Sequence, residues 1–179
     1  MQAFRRHGFK GVSVRDLEAA TGISSGSLYN AFGDKEGLFR AAFAHYNEVV
    51  LNGRLNRYAP VEAGMAGVRE AFRSLLHEPD GGSFGCLITN SAIELGGQDS
   101  PNGLVLDALD VLRRTFAERL RAARLSGEVP DSTDPDSAAL QLLALYQGVL
   151  VLVRGGYNRA ALEQLIGDHF NALEGSHAP

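Results

Sequence analysis

The sequence predicts an all-α protein: a small N-terminal three-helix head carrying a helix-turn-helix, followed by a larger C-terminal helical domain. Three observations predict it. Residues 9–39 read as a helix, a tight turn and a second helix, with a third helix beginning just after. Pro60, Pro79, Pro101, Pro130 and Pro135 all fall at segment edges, where helices tolerate proline. The segments between them repeat apolar residues at helical spacing, most clearly Val105, Leu109, Leu112, Phe116 and Leu120.

In the head, Phe4 and Phe9 are expected to pack against the helix-turn-helix. Its first helix opens at Ser13, which with Asp16 has the spacing of a capping box. Val14 and Leu17 supply its buried face. Thr21-Gly22 breaks it, Gly22 being suited to positive φ, and Ile23 is expected to plug the turn. Ser24 caps a second helix, Ser25 to Phe32. The 3.6-residue period places Leu28 and Phe32 on its inner face and Gly26 and Asn30 opposite, with Ser27 and Tyr29 at the sides. The exposed face thus offers hydroxyl, amide and phenol groups, which hydrogen-bond phosphates or base edges. Gly26 is costly in so short a helix unless something approaches its backbone closely. A weak, solvated surface helix is the other reading of the same residues.

Asp34 caps the next helix, expected to run to about Arg57. Further helices are predicted at about 61–77, 86–95 and 103–125, with loops at Pro79–Ser83 and Gly96-Gly97. In the fourth of these body segments Asp107 and Asp110 come early and Arg119, Arg121 and Arg124 late, as a helix dipole favours. Asp134-Pro135 opens a helix to about Arg154. Its Leu142–Val153 stretch is apolar almost all round and must be covered on more than one side. Asn158 to about Leu173 is amphipathic. Two such helices in a chain of 179 residues suit part of a homodimer interface, paired as a four-helix bundle, or else a purely internal core. Asp at Leu145 or Val149 is expected to give monomers.

Composition narrows the function. The chain has 45% hydrophobic residues and a formal net charge of −4, which argues against a general nucleic-acid binder. Residues 1–40 reverse the sign, with Arg5, Arg6, Lys10, Arg15, Lys35 and Arg40 against Asp16, Glu18, Asp34 and Glu36. A mildly basic module on an acidic body suits a site-specific binder repelled from DNA elsewhere. There is no uninterrupted apolar run long enough to span a bilayer and no signal-peptide pattern at the start. One cysteine excludes an internal disulfide and suits a reducing cytoplasm. The five histidines show no metal-ligand spacing. Gly81-Gly82 lacks the context of a phosphate loop. No cofactor and no enzymatic activity are expected.

Residues Ser13-Val14-Arg15-Asp16-Leu17, Ala20, Thr21-Gly22-Ile23-Ser24, Gly26-Ser27-Leu28-Tyr29, Phe32, Lys35-Glu36 and Leu38-Phe39 together resemble the DNA-binding domain of the TetR family of bacterial transcriptional regulators. The resemblance covers about the first quarter of the chain. It implies a helix-turn-helix DNA-binding domain over 1–46 and a ligand-binding and dimerisation domain over 47–179. It also implies a cytoplasmic homodimer that binds double-stranded DNA at a near-palindromic operator as a repressor and is released by a small-molecule effector. The DNA contacts it implies are Ser13, Arg15, Ser25, Gly26, Ser27, Tyr29, Asn30 and Lys35. Two departures stand out. Ala31 occupies a position where the family commonly carries a phosphate-contacting His, and the family's first helix usually begins earlier than Met1 allows. They suggest a second reading, a helical small-molecule or protein-binding module that has lost DNA binding.

For the effector, the candidates are Cys86, Asn90, Glu94, Tyr146 and Gln147. Gly85-Cys86-Leu87 with Asn90 resembles a subgroup of these regulators, and cysteine sensing of electrophiles occurs in the family. At the predicted start of a helix Cys86 would gain thiolate character. The favoured reading is a small buried hydrophobe at a helix contact.

Overall fold

The computed structural model describes residues 1–77, 85–95 and 102–175. The loop expected at Pro79–Ser83, the Gly96-Gly97 terminator, Pro101 and His177 lie outside the described residues. All regular structure among the described residues is helical: α1 Gln2–Gly11, α2 Val14–Thr21, α3 Ser25–Phe32, α4 Lys35–Tyr46, α5 Gly53–Tyr58, α6 Gly64–Arg73, α7 Leu87–Leu95, α8 Asn102–Ser126, α9 Pro135–Arg154 and α10 Arg159–Leu173. The single helix expected between Asp34 and Arg57 is α4 and α5 joined by a π-helical stretch, Asn47–Asn52. The segment expected over 61–77 has 3-10 turns at both ends of α6.

The chain divides into two compact units. The first holds α1 to α4 with the chain to Leu51, together with α7 and α8 as far as Ala108. Its core is aromatic. Phe39 of α4 takes Phe4 and Phe9 of α1 edge-on, at centroid distances of 5.2 and 5.1 Å, and Phe43 lies 5.7 Å further along. Val12, Leu17 and Leu28 complete it from the helix-turn-helix, and Leu87, Ile88 and Leu95 are the buried side of α7.

α7 is locked to α1 by polar contacts as well. The buried Arg5 donates from Nε to the Gly85 carbonyl (2.5 Å), and Asn90 Nδ2 donates to the Arg5 carbonyl (3.1 Å). Gly8 interrupts α1 at φ 75°, ψ 174°, a conformation open essentially to glycine alone. The resulting turn aims the N–H groups of Phe9 and Lys10 at the Glu94 carboxylate, at 2.8 and 2.6 Å.

The second unit holds α5, α6, most of α8, and α9 and α10. Four helices each contribute one buried ring. Phe72 of α6 contacts Phe116 of α8 (5.7 Å), Tyr146 of α9 (5.3 Å) and Phe170 of α10 (5.3 Å). Glu128 repeats the device seen at Gly8: its carboxylate accepts the Met65 N–H (2.8 Å) beside Gly64, which has φ 58°. The acidic residues of α8 lie past its first turn, so they do not complement its dipole as expected. Asp110 instead pairs with Arg113 and Arg114, while Arg121 reaches Asp136 of α9 at 2.7 Å. Arg124 does fall in the last turn.

α9 is the one described helix with the length and apolarity of a membrane span, at mean hydropathy 1.5. Leu142, Tyr146, Val149 and Leu150 bury its inner face within this unit. Its other face stays open, with Leu140 57% exposed and Val151 46% exposed, and Leu165 of α10 is also exposed. Val149 is wholly buried within one chain, so Asp there would break the fold. Val149 therefore cannot report on dimerisation, as the sequence reading expected of it; Leu140 and Val151 are the apolar residues on the open face of α9.

Candidate nucleic-acid interface

Each boundary of the helix-turn-helix has a local cause. Ser13 caps α2 by accepting the Asp16 N–H (3.2 Å). Asp16 accepts in return the N–H (2.7 Å) and hydroxyl (2.6 Å) of Ser13. These bonds hold the Asp16 carboxyl below its ordinary pKa, with smaller contributions from the charges of His7 and Lys35. Gly22 ends α2 in the left-handed region at φ 69°. Ser24 caps α3 by accepting the Ser27 N–H (3.3 Å), and Asp34 caps α4 by accepting the Gly37 N–H (2.7 Å).

Two side chains differ from the sequence expectation. Ile23 is 46% exposed and does not plug the turn; its N–H donates to the Thr21 hydroxyl (3.2 Å) and its side chain stays at the surface. Phe32 is 40% exposed. It stands a full helical turn beyond Leu28, at the end of α3 where Gly33 (φ 82°) turns the chain away, so less of the head covers it. Only Leu28 anchors α3 inward as a buried residue.

The remaining face of α3 is polar and open. Gly26, Ser27, Tyr29 and Asn30 are exposed, as are Ser13 and Arg15 of the preceding helix, and Ser25 is half-buried. A Cβ at Gly26 would meet nothing within 4 Å, so internal packing does not require glycine there. Tyr29 and Lys35 border one small cleft with Val14, Leu17, Leu28, Asp34 and Leu38. The Lys35 ammonium lies 4.8 Å from the centre of the Phe9 ring, which tethers its stem beside α3.

Sequence reasoning missed Glu18. From the last turn of α2 its carboxylate accepts the N–H of Ser25, the first residue of α3, at 2.5 Å. Together with the Ser25 hydroxyl, this holds the Glu18 carboxyl below its ordinary pKa. The available signal was an acid at the end of one helix, within a short turn of the cap of the next.

The five effector candidates are divided between the two units. Cys86, Asn90 and Glu94 lie in the first unit, and Tyr146 and Gln147 in the second. Cys86 is buried, at 6% exposed. Asn90 and Glu94 hold α1, as described above. Tyr146 belongs to the aromatic cluster, and its hydroxyl accepts from Arg54 (3.3 Å). Gln147 is half-buried on α9.

Comparison with known proteins bears on this arrangement. Residues 1–42 match the family model for bacterial regulatory proteins of the tetR family, and residues 65–166 match the tetracyclin repressor-like C-terminal domain. The chain belongs to the TetR family. It is therefore a DNA-binding transcriptional regulator rather than an enzyme.

Among curated relatives it is 27% identical to the HTH-type transcriptional repressor ComR of Escherichia coli K12, over 93% of this chain and 81% of that one. It is 25% identical to the repressor DhaR of Mycobacterium sp. GP1, over 96% and 87%. Among solved structures, a cysteine mutant of the TetR-family regulator CifR, complexed with 26-bp double-strand operator DNA, superposes with a TM-score of 0.80. The two are 27% identical, and the alignment covers 96% of this chain and 91% of CifR.

Proposed function

We propose that this TetR-family chain is a cytoplasmic, homodimeric repressor that holds a near-palindromic operator and lets it go when a small molecule binds. In this reading residues 1–46 bind DNA, and residues 47–179 bind the effector and form the dimer. The observation that carries it is α3: capped at its start, anchored by Leu28 and polar on its open face. Lys35 and Tyr29 hold phosphates. Ser27 and Asn30 read base edges, and Gly26 lets the backbone come close. Ser13 and Arg15 touch the flanking backbone. Two copies joined through α9 and α10 present two such helices one helical repeat apart, about 34–36 Å or a near multiple.

An effector acts only through a difference in affinity between the DNA-competent conformation and another. A coupling of about 1–3 kcal/mol loosens DNA by about 5–150-fold, and DNA weakens the effector equally.

The first test is salt-dependent binding to the promoter of the chain's own gene, with random DNA as competitor. Preferential binding to the promoter is expected. Equal affinity for both would point to a binding module without operator recognition. A ligand found by thermal-shift screening is then titrated calorimetrically with and without operator. Equal affinities in the two titrations would exclude it as the effector.

A further inference from the structure

The interface holds one group that neither the family match nor the DNA-facing residues account for. Glu18 sits on α2, yet its carboxylate closes on the first N–H of α3 at 2.5 Å. Most of the polar contacts around α3 are made by caps within three residues in sequence. Ser24 serves α3 itself, and Asp34 serves α4. Such caps stabilise a helix without directing it relative to its neighbour. The Glu18–Ser25 contact spans seven residues and ties the two helices to each other across the Gly22 turn. It is charge-assisted, and it meets the positive end of the α3 dipole, so it is stronger than a neutral bond of the same length. α3 has only eight residues and one buried anchor, Leu28. One buried anchor fixes the place of the helix more firmly than its rotation about its own axis, and rotation is what would move Ser27 and Asn30 among base edges.

We propose that Glu18 is a positioning residue for operator recognition: it fixes the direction of α3 by holding the Ser25 N–H, and Ser25 acts as its strut rather than as a base reader. Sequence discrimination therefore depends on Glu18 although Glu18 itself reads no base. Affinity for DNA of arbitrary sequence does not depend on it in the same way, because phosphate contacts tolerate a small rotation of α3. The proposal rests on the DNA-binding reading above.

The test compares the full chain with Glu18→Ala and Glu18→Gln. The probes are a duplex selected by the wild-type protein from a random-sequence pool and a scrambled duplex of equal length and composition. Removing one charge-assisted hydrogen bond should lower the selected-to-scrambled affinity ratio about 10-fold in Glu18→Ala. Glu18→Gln, whose amide oxygen still accepts from Ser25, should recover the ratio to within about 2-fold. Without DNA, exchange of the Ser25 amide hydrogen should be slow in wild type and Glu18→Gln and faster in Glu18→Ala.

An unchanged ratio in Glu18→Ala overturns the proposal. So does an equal loss on both duplexes with a lowered melting temperature, or Ser25 exchange as slow in Glu18→Ala as in wild type. If the wild-type protein selects no duplex, the DNA reading fails instead, and the exchange comparison still decides whether Glu18 holds α3.

Discussion

Lys35 and Asn30 carry different duties, and the difference is measurable. Lys35 is a cation held beside the Phe9 ring and borders the same cleft as Tyr29. A cation so placed suits a phosphate and carries no sequence information. Lys35→Ala should weaken binding to all duplexes and reduce the slope of log affinity against log salt by about 1. Asn30 is exposed in the last turn of α3, on the face opposite Leu28, and can make paired hydrogen bonds to a base. Asn30→Ala should instead re-rank operator variants, with each affected position changing by about 1–3 kcal/mol. Fluorescence anisotropy on a panel of duplexes separates the two. A uniform loss from both substitutions would show the roles to be wrongly assigned.

Among elements, α1 and α7 are joined by an arrangement that a single methyl group can disrupt. Gly8 has φ 75° and ψ 174°, and a Cβ there would run into the Glu94 carboxylate. Gly8→Ala therefore meets backbone strain and also displaces the acceptor of the Phe9 and Lys10 N–H groups. The strain alone should cost about 1–3 kcal/mol, read from urea unfolding. Because Phe9 packs on Phe39 and carries Lys35 over its ring, DNA affinity should fall as well. Glu94→Gln keeps an acceptor for one of the two N–H groups and should be milder on both counts. A Gly8→Ala variant as stable as wild type would show that the turn is not held as described.

For the whole molecule, the open face of α9 and the titration of a few groups give two further expectations. Leu140 and Val151 are exposed in the single chain while Leu142 and Val149 are buried, so the helix has separate inner and outer stripes. Leu140→Asp and Val151→Asp should leave the subunit folded and shift the protein toward monomer. Operator affinity should drop because two linked heads no longer bind together. Sedimentation velocity with circular dichroism checks this, and a stable wild-type monomer would refute it.

Stability should also depend on pH in two windows. Burial lowers the pKa of His169 from its ordinary value of about 6.5. Below that value the unfolded chain binds a proton that the folded one resists, so stability should decline as pH falls from about 6.5 toward the folded pKa. Asp16 and Glu18 are shifted down by hydrogen bonds from Ser13 and Ser25. Their stabilisation is present above about pH 4 and lost as pH falls through the lowered values. Thermal melts across pH should show both declines, and His169→Gln should remove the first only.

The local chemistry of the head is legible in the sequence because it is short-range. The Ser13–Asp16 box, the left-handed Gly22, the Ser24 and Asp34 caps and the bounds Ser25–Phe32 all depend on residues within four positions of one another. Periodicity likewise places α8, α9 and α10 to within about two residues, since a buried stripe repeats every 3.6 positions. The same rule fails at Ile23 and Phe32, because burial depends on what stands opposite, and at the end of an eight-residue helix little does. Glu94 shows the limit most plainly. As a sequence letter it was a candidate for binding an effector; in the fold it accepts two N–H groups from residues 85 and 84 positions away. Arg5, which donates to the Gly85 carbonyl 80 positions away, and the π-helical stretch at Asn47–Asn52 are of the same kind. A long-range acceptor or an extra residue in a helical turn changes no local propensity, so only the packed chain decides it.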